Sequence, residues 1–354
     1  MSEAPDLDVR PHPKQTGYGI GVIGCGWVAR NYQLPAYRHA GFNVVAAADI
    51  APRALNTVCD EFDIKRRFDD FREMLKLPGV DIVEINVPAF NRAEIVARCA
   101  RAGKHLLVQK PFARSMAEGR LMVEAARQAG VKLAVNSHYR WLNVFRAAHL
   151  LVQGGWIGEP YHIHSWMFGN QDDVYVHEMP ERRWNASLED FMQIEWGAHH
   201  HDYLRFWTGQ EPIEVYARGT RRPGQNFRGE MAYTMVLGFQ SGLDAAFVFN
   251  QASVAPHGGM GFRIEGTEGM IAGEAFSRLS LYSRRLGQQP AIYEYDENPT
   301  PDSYIGTMGD LMDAITEDRE HVSSGQDNLN TVRSYLAALE SERLGRPVKL
   351  SEIT

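Results

Sequence analysis

Cysteine is scarce in this 354-residue chain: Cys25, Cys59 and Cys99 are the only three. An odd number at spacings that match neither a disulfide framework nor a zinc motif predicts reduced thiols and a cytoplasmic protein. Long apolar runs are also missing. No segment approaches the about 18–20 apolar residues a membrane helix needs, so no membrane partner is expected. The first sixteen residues are polar, rich in proline and acid, and lack a signal-type apolar stretch. Basic runs are absent too, and the formal net charge is −7, which argues against a nucleic-acid partner. There is no internal repeat and no low-complexity stretch.

What remains is a chain long enough for two cored domains. From Tyr18 to about Asn136, apolar runs alternate with helical segments. Strands are predicted at 18–23, 43–49, 82–87, 105–108 and 132–135. Helices are predicted near 28–40, 52–62, 68–76, 91–102 and 116–129. This alternation implies a doubly wound parallel sheet of Rossmann type. Beyond about His138 the pattern changes. Helices are predicted near 141–153 and 193–208, alternating strands at 213–217, 231–239, 243–250, 262–265 and 279–282, and helices at 306–317 and 327–344. That order implies an α+β domain with an open, mostly antiparallel sheet. The expected division is a flexible tail over 1–16, an NAD(P)-binding domain over 17–137, and a substrate-binding and oligomerisation domain over 138–354.

Two glycine fingerprints overlap between Gly19 and Ala29. A phosphate-binding turn has to follow a buried strand and open a helix, so that backbone N–H groups and the helix dipole face a pyrophosphate. Only Gly24-x-Gly26-x-x-Ala29 meets that condition, because Lys14 to Gly17, which precede the first frame, are polar and cannot form a buried strand. Gly24, Gly26, Trp27 and Val28 are therefore expected at the cofactor. Asp49, 25 residues after Gly24 at the end of the second strand, suits the ribose hydroxyls and disfavours a 2′-phosphate. NAD is favoured over NADP, with Arg53 as a candidate partner for a 2′-phosphate.

Several segments in order resemble the glucose–fructose oxidoreductase / inositol dehydrogenase (Gfo/Idh/MocA) family. They are Gly24-Cys25-Gly26, Asn86-Val87-Pro88, the run Ala102 to Pro111 ending in Gln109-Lys110-Pro111, Trp156-Ile157-Gly158-Glu159, and Glu195 to Asp202. The similarity spans nearly everything from Tyr18 onward. By that resemblance Lys110, Glu195 and His199 fall on the family's catalytic Lys, Asp and His. Asn86, Pro88, Gln109, Lys110 and Asn136 join the expected cofactor site. Three departures stand out: Gln109 for the usual Glu, Glu195 for the usual Asp, and Arg92 where a His often stands.

The chemistry is coherent. A secondary alcohol needs a base for its proton, and histidine titrates near neutrality. Glu195 lies four residues before His199, on one face of a helix. An ammonium at Lys110 stabilises an alkoxide. Substrate contacts are expected from Lys110, Arg140, Trp166, Trp184, Glu195, His199 and His200, although His200 and His201 also suit packing. No metal is expected, since neither HExxH nor a cysteine pair accompanies the histidines. The implied function is an NAD(P)-dependent dehydrogenase acting on a hydroxyl-bearing carbon of a sugar, sugar derivative or cyclitol. The alternatives are a glycosidase-type enzyme using transient oxidation and a non-catalytic NAD sensor. Strands 231–239 and 243–250 carry apolar residues on both faces, which predicts a homodimer or homotetramer through that sheet.

Overall fold

The first strand shows how local sequence sets this fold. Gly19-Ile20-Gly21-Val22-Ile23 is buried throughout, and its two glycines serve packing. A Cβ on Gly19 would lie 1.7 Å from the Gly79 carbonyl oxygen, and one on Gly21 would press on the Met74 side chain at 3.0 Å. The computed structural model describes residues 3–254, 258–274, 276–295 and 300–354. Two compact units result. One comprises Arg10–Leu142 and Asn298–Val332; the other comprises Met1–Val9, Asn143–Glu297 and Arg333–Thr354.

In the first unit, β1 (Gly19–Ile23), β2 (Asn43–Ala48), β3 (Arg66–Phe68), β4 (Ile82–Ile85), β5 (His105–Gln109) and β6 (Leu133–Asn136) form a parallel sheet in the order β3-β2-β1-β4-β5-β6. The order reverses between β1 and β4, where such sheets bind ligands at their carboxyl ends. The connecting helices are α1 (Leu34–Ala40), α2 (Pro52–Glu61), the single turn α3 (Phe71–Met74), α4 (Arg92–Arg101) and α5 (Met116–Ala129). The ends of α5 follow from its sequence. The Ser115 hydroxyl accepts from Glu118 N, and Gly130 takes the left-handed conformation at φ 65°. Among the strands of this first sheet, β3 alone escaped the sequence reading: three residues, two of them exposed arginines, carry no apolar run.

The division differs from the expected single boundary. The helix α9 (Thr300–Thr316) belongs to the first unit, where Tyr304, Ile305, Met308, Leu311 and Met312 are buried in one cluster with Ile20, Leu34 and Tyr37. The leading segment, expected as a flexible tail, is docked instead. Lys14 N and Gln15 N donate to Asp313 in α9, Val9 is buried, and the Tyr293 hydroxyl donates to Pro5 O.

The second unit holds a nine-stranded, mostly antiparallel sheet, β14-β13-β12-β11-β7-β10-β9-β8-β15. Its strands are β7 (Pro160–Phe168), β8 (Pro212–Thr220), β9 (Ala232–Phe239), β10 (Asp244–Asn250), β11 (Gly259–Gly266), β12 (Gly269–Glu274), β13 (Arg278–Ser283), β14 (Ala291–Glu294) and β15 (Val348–Lys349). β7 and β10 pair in parallel. The helices are α6 (Asn143–Gln153), the single turn α7 (Gln171–Asp173) and α8 (Gly197–Thr208), while α10 (Gly325–Leu344) begins in the first unit and ends in the second. The Trp207 indole donates to Phe145 O, fastening α8 to α6. The side chains expected to crowd both sheet faces lie on one. Tyr233, Met235, Leu237, Phe247 and Phe249 are all buried on the helix-covered side. The outward side shows Thr234, Val236, Ala246 and Val248.

Candidate active site

The nucleotide turn starts where β1 ends. Gly24 sits at φ +94°, and a Cβ there would come within 3.1 Å of the Asn86 carbonyl carbon. Glycine is thus required both for the backbone and for the space. Around Gly26 the position of a Cβ is open, with nothing within 4 Å, which leaves room for a ligand against the main chain. The helix then begins, with Arg30 N donating to Gly26 O. Trp27 packs edge-on against Tyr32 at 5.0 Å, and Val28 packs against the core.

Asp49 has a structural task that the sequence did not show. One carboxylate oxygen accepts from Cys25 N at 2.7 Å, the other from Ala51 N at 2.8 Å. It therefore braces the glycine turn and the start of α2 together. Each oxygen keeps acceptor capacity for a further donor. Ile50 beside it is 91% exposed, and Arg53 is exposed at the first turn of α2.

At the carboxyl ends of β4 and β6 stand two amides with matching surroundings. The Asn86 oxygen accepts from Gln33 Nε2 at 2.9 Å, and the Asn136 oxygen lies 2.9 Å from the Thr307 hydroxyl. The amide nitrogens of Asn86 and Asn136 are buried with no hydrogen-bond partner among the described residues. Buried donors without partners are costly, and the two lie at the edge where the fold takes its ligand. The open Gly26 turn and these amides fit a dinucleotide. Gln33 and Thr307 were missed in the sequence because each orients an asparagine far away in the chain.

Lys110 follows β5 directly and is half-buried. Its backbone N–H donates to the Gln109 side-chain oxygen at 2.8 Å. The neutral Gln109 amide thus holds the lysine's main chain. The Lys110–Pro111 peptide is cis. His138, also unforeseen, stacks on Tyr304 at 4.6 Å. Burial, and then the charge of Lys110, push its pKa down to about 3, so this imidazole is neutral at neutral pH. Pro88 is exposed beside Asn86.

In the second unit a π turn, Met192–Trp196, carries Glu195 and passes without interruption into α8. The π turn was not foreseen; the sequence reads as one continuous helix. Glu195 is half-buried and His199 buried, with the Trp196 ring edge-on to the His199 imidazole at 6.3 Å. Upstream, Phe191 packs on Tyr175 at 5.7 Å and on Phe227 at 5.1 Å. The fully buried Asp172 carboxylate accepts from Asn226 N and Phe227 N and pairs with Arg222 at 2.9 Å. Two loops are thereby locked against the segment that leads into Glu195.

Three expected substrate contacts are placed elsewhere. Arg140 is buried with its guanidinium committed to Asp327 at 2.6 Å and to the Val322 carbonyl. His200 is buried in the sheet–helix core, stacked on Phe247 at 3.7 Å, with Nδ1 against the Tyr203 hydroxyl at 2.8 Å. Trp166 projects from the outward face of β7 and lies across Gly261, where a Cβ would meet its ring at 2.3 Å. The neighbouring Ser165 points the other way, to Tyr203 of α8. Alternation along β7 therefore puts Trp166 on the face opposite His199. Trp184 is exposed at 45%. His201 bonds Ser334 at 2.7 Å and is buried.

Two family models match the chain. One, described as an oxidoreductase family with an NAD-binding Rossmann fold, covers residues 18–137; the other, a GFO/IDH/MocA C-terminal domain, covers 145–272. A D-apiose dehydrogenase of Paraburkholderia graminis is 29% identical over 353 residues, covering 94% of this chain and 89% of the relative. One of Rhizobium rhizogenes is 27% identical over 340 residues, covering 93% and 96%. A crystal structure of an oxidoreductase from Agrobacterium radiobacter, in complex with NAD+, L-tartaric acid and magnesium, superposes with a TM-score of 0.85 at 26% identity, covering 96% of this chain and all of that one.

Proposed function

The chain belongs to the GFO/IDH/MocA oxidoreductase family, and from that we propose that it is an NAD-dependent dehydrogenase acting on a CH–OH group of a sugar, sugar derivative or cyclitol. The observation that carries the reading lies within one sheet edge: the open Gly24–Gly26 turn, the unpartnered Asn86 and Asn136 amides, and Lys110. Relatives of similar length are named D-apiose dehydrogenase, myo-inositol 2-dehydrogenase and levoglucosan dehydrogenase. They share polyhydroxylated substrates.

NAD, when bound, supplies the hydride acceptor. The chain supplies the rest. Gly24, Gly26 and Asp49 hold the adenosine and pyrophosphate end, and Asn86 and Asn136 offer amide donors toward the other end. Lys110 stabilises the oxygen as it loses its proton. His199 takes that proton, and Glu195 fixes the imidazole or a neighbouring hydroxyl. Trp184, 45% exposed, offers an aromatic surface to the substrate.

A cytoplasmic location belongs to this reading and is supported by the three cysteines, all free and buried. No helix among the described residues is long and apolar enough to cross a membrane. Homo-oligomer formation is proposed through the outward sheet face. There Tyr216, Val236, Ala246 and His164 lie side by side across four strands, next to Val248 and Trp166. Solution scattering tests this, and a monodisperse monomer at micromolar concentration argues against it.

The activity test is nicotinamide reduction with D-apiose, myo-inositol and levoglucosan, each with NAD and with NADP. Turnover with NAD is expected for at least one. Cleavage of a glycosidic bond without net NADH would point to transient oxidation, and NAD binding without turnover would point to a sensor.

A further inference from the structure

Arg92 is a buried cation in an unfavourable place. It opens α4, where the helix dipole is positive and a cation is disfavoured. It is also 1% exposed, and burying a guanidinium costs several kcal/mol unless its donors are satisfied. Its fork bridges two loops. Nη2 donates to Val87 O at 2.7 Å, in the loop after β4. Nη1 donates to Phe112 O at 3.3 Å and to Pro111 O, in the loop after β5. These carbonyls lie beyond the ends of their strands, Ile85 and Gln109, so the sheet offers them no partner. Pro111 has no N–H with which to extend the ladder.

We propose that Arg92 is a positioning residue for the reaction: its guanidinium ties the Asn86–Pro88 loop to the Lys110–Phe112 loop, so that the amide at β4 and the ammonium after β5 hold one fixed spacing. The inference rests on the reading of Lys110 as the group that meets the substrate oxygen. A planar fork with five donors can reach both loops at once. A lysine brings the charge but a single nitrogen on a flexible stem. Asn86 is anchored from one side by Gln33 and Lys110 N by Gln109, yet neither contact joins the two loops. Arg92 does.

The experiment uses the full chain with Arg92→Lys, Arg92→Gln and Arg92→Ala. Amide hydrogen exchange without substrate reads the loops directly. In Arg92→Gln, exchange over 86–90 and 109–114 is expected to rise together, about tenfold, while α5 keeps its protection. Arg92→Lys should give a smaller rise in both. With whichever panel sugar the wild type oxidises, kcat should fall about 10–100-fold, the scale of a small misplacement of reacting groups. The NAD dissociation constant should stay within about threefold. Millimolar guanidinium should restore part of the lost kcat in Arg92→Ala. Exchange rising in one loop alone, or in neither, overturns the proposal, as does a kcat of Arg92→Gln within about twofold of wild type. Loss of kcat, NAD affinity and thermal midpoint together would make Arg92 merely structural. Should the wild type oxidise no panel sugar, the functional reading fails, and the exchange pattern still decides whether Arg92 couples the loops.

Discussion

Glu84 sits mid-strand in β4 with 1% of its surface exposed, inside the nucleotide-binding sheet. One carboxyl oxygen accepts from the Tyr37 hydroxyl of α1 at 2.8 Å, and the other has no partner among the described residues. Burial drives its pKa from 4.5 up to about 8, against the opposing pull of the Tyr37 hydrogen bond. The group is therefore neutral in the folded protein at pH 7 and ionised in the unfolded chain. The folded state holds a proton that the unfolded state has released, so stability falls as pH rises. The loss begins near 4.5, runs at about 1.4 kcal/mol per pH unit, and ends near pH 8. Across that window it totals about 5 kcal/mol, a large share of the about 5–15 kcal/mol that holds a typical domain together. Glu84→Gln keeps the acceptor for Tyr37 and removes the titration. Urea unfolding of both proteins at unit steps from about pH 5 to about pH 9 measures the difference, and other titrating groups cancel in it. The variant should gain on wild type by about 1.4 kcal/mol per unit up to about pH 8 and run parallel above. Parallel curves throughout would show that Glu84 is ionised in the folded protein and that the burial argument is wrong.

Lys110→Ala and His199→Ala should each lower kcat by roughly 10²–10⁴ while fluorescence titration shows NAD still bound; near-wild-type turnover in both would move the chemistry elsewhere. Asp49→Ser loses the carboxylate that braces Cys25 N and Ala51 N. NADH affinity should fall about tenfold and the preference over NADPH should narrow, as read by titration with both. Asp172→Ala strips partners from the buried Phe227 N–H, the part-buried Asn226 N–H and Arg222. It should destabilise by about 2–4 kcal/mol in urea and raise KM through the loops it locks, with Asp172→Asn retaining part of both.

Much of this was legible in the chain. The choice between two glycine frames rested on where a buried strand could lie, and it placed Gly24 at the one turn with positive φ before the helix. The α5 range predicted from the sequence, 116–129, matches Met116–Ala129, and the caps the structure shows there, Ser115 and Gly130, are local chemistry. Partnership across the chain was not legible. Nothing near Asn86 announces Gln33, and nothing near Asn136 announces Thr307. Arg140 carries a charge type suited to substrates, yet its partner Asp327 lies 187 residues away. His200 and Trp166 were misplaced for a simpler reason: residue type suggests a role, but the face of a helix or strand decides it. The π turn at Met192–Trp196 has no distinct composition and so read as ordinary helix.

The return of α9 to the first unit limits how this protein can be divided or recombined. A nucleotide-binding half cut after β6 would lose Tyr304, Ile305, Met308, Leu311 and Met312 from its core and leave Tyr37 and Leu34 facing water. Single-crossover exchange between relatives faces the same obstacle, because any chimera joined near residue 140 pairs one parent's sheet with the other parent's α9. Successful recombination would need two crossovers that carry residues 298–332 along with the nucleotide-binding segment. The α9 packing surface and the sheet beneath it are thus expected to evolve as one module although residues 143–297 intervene.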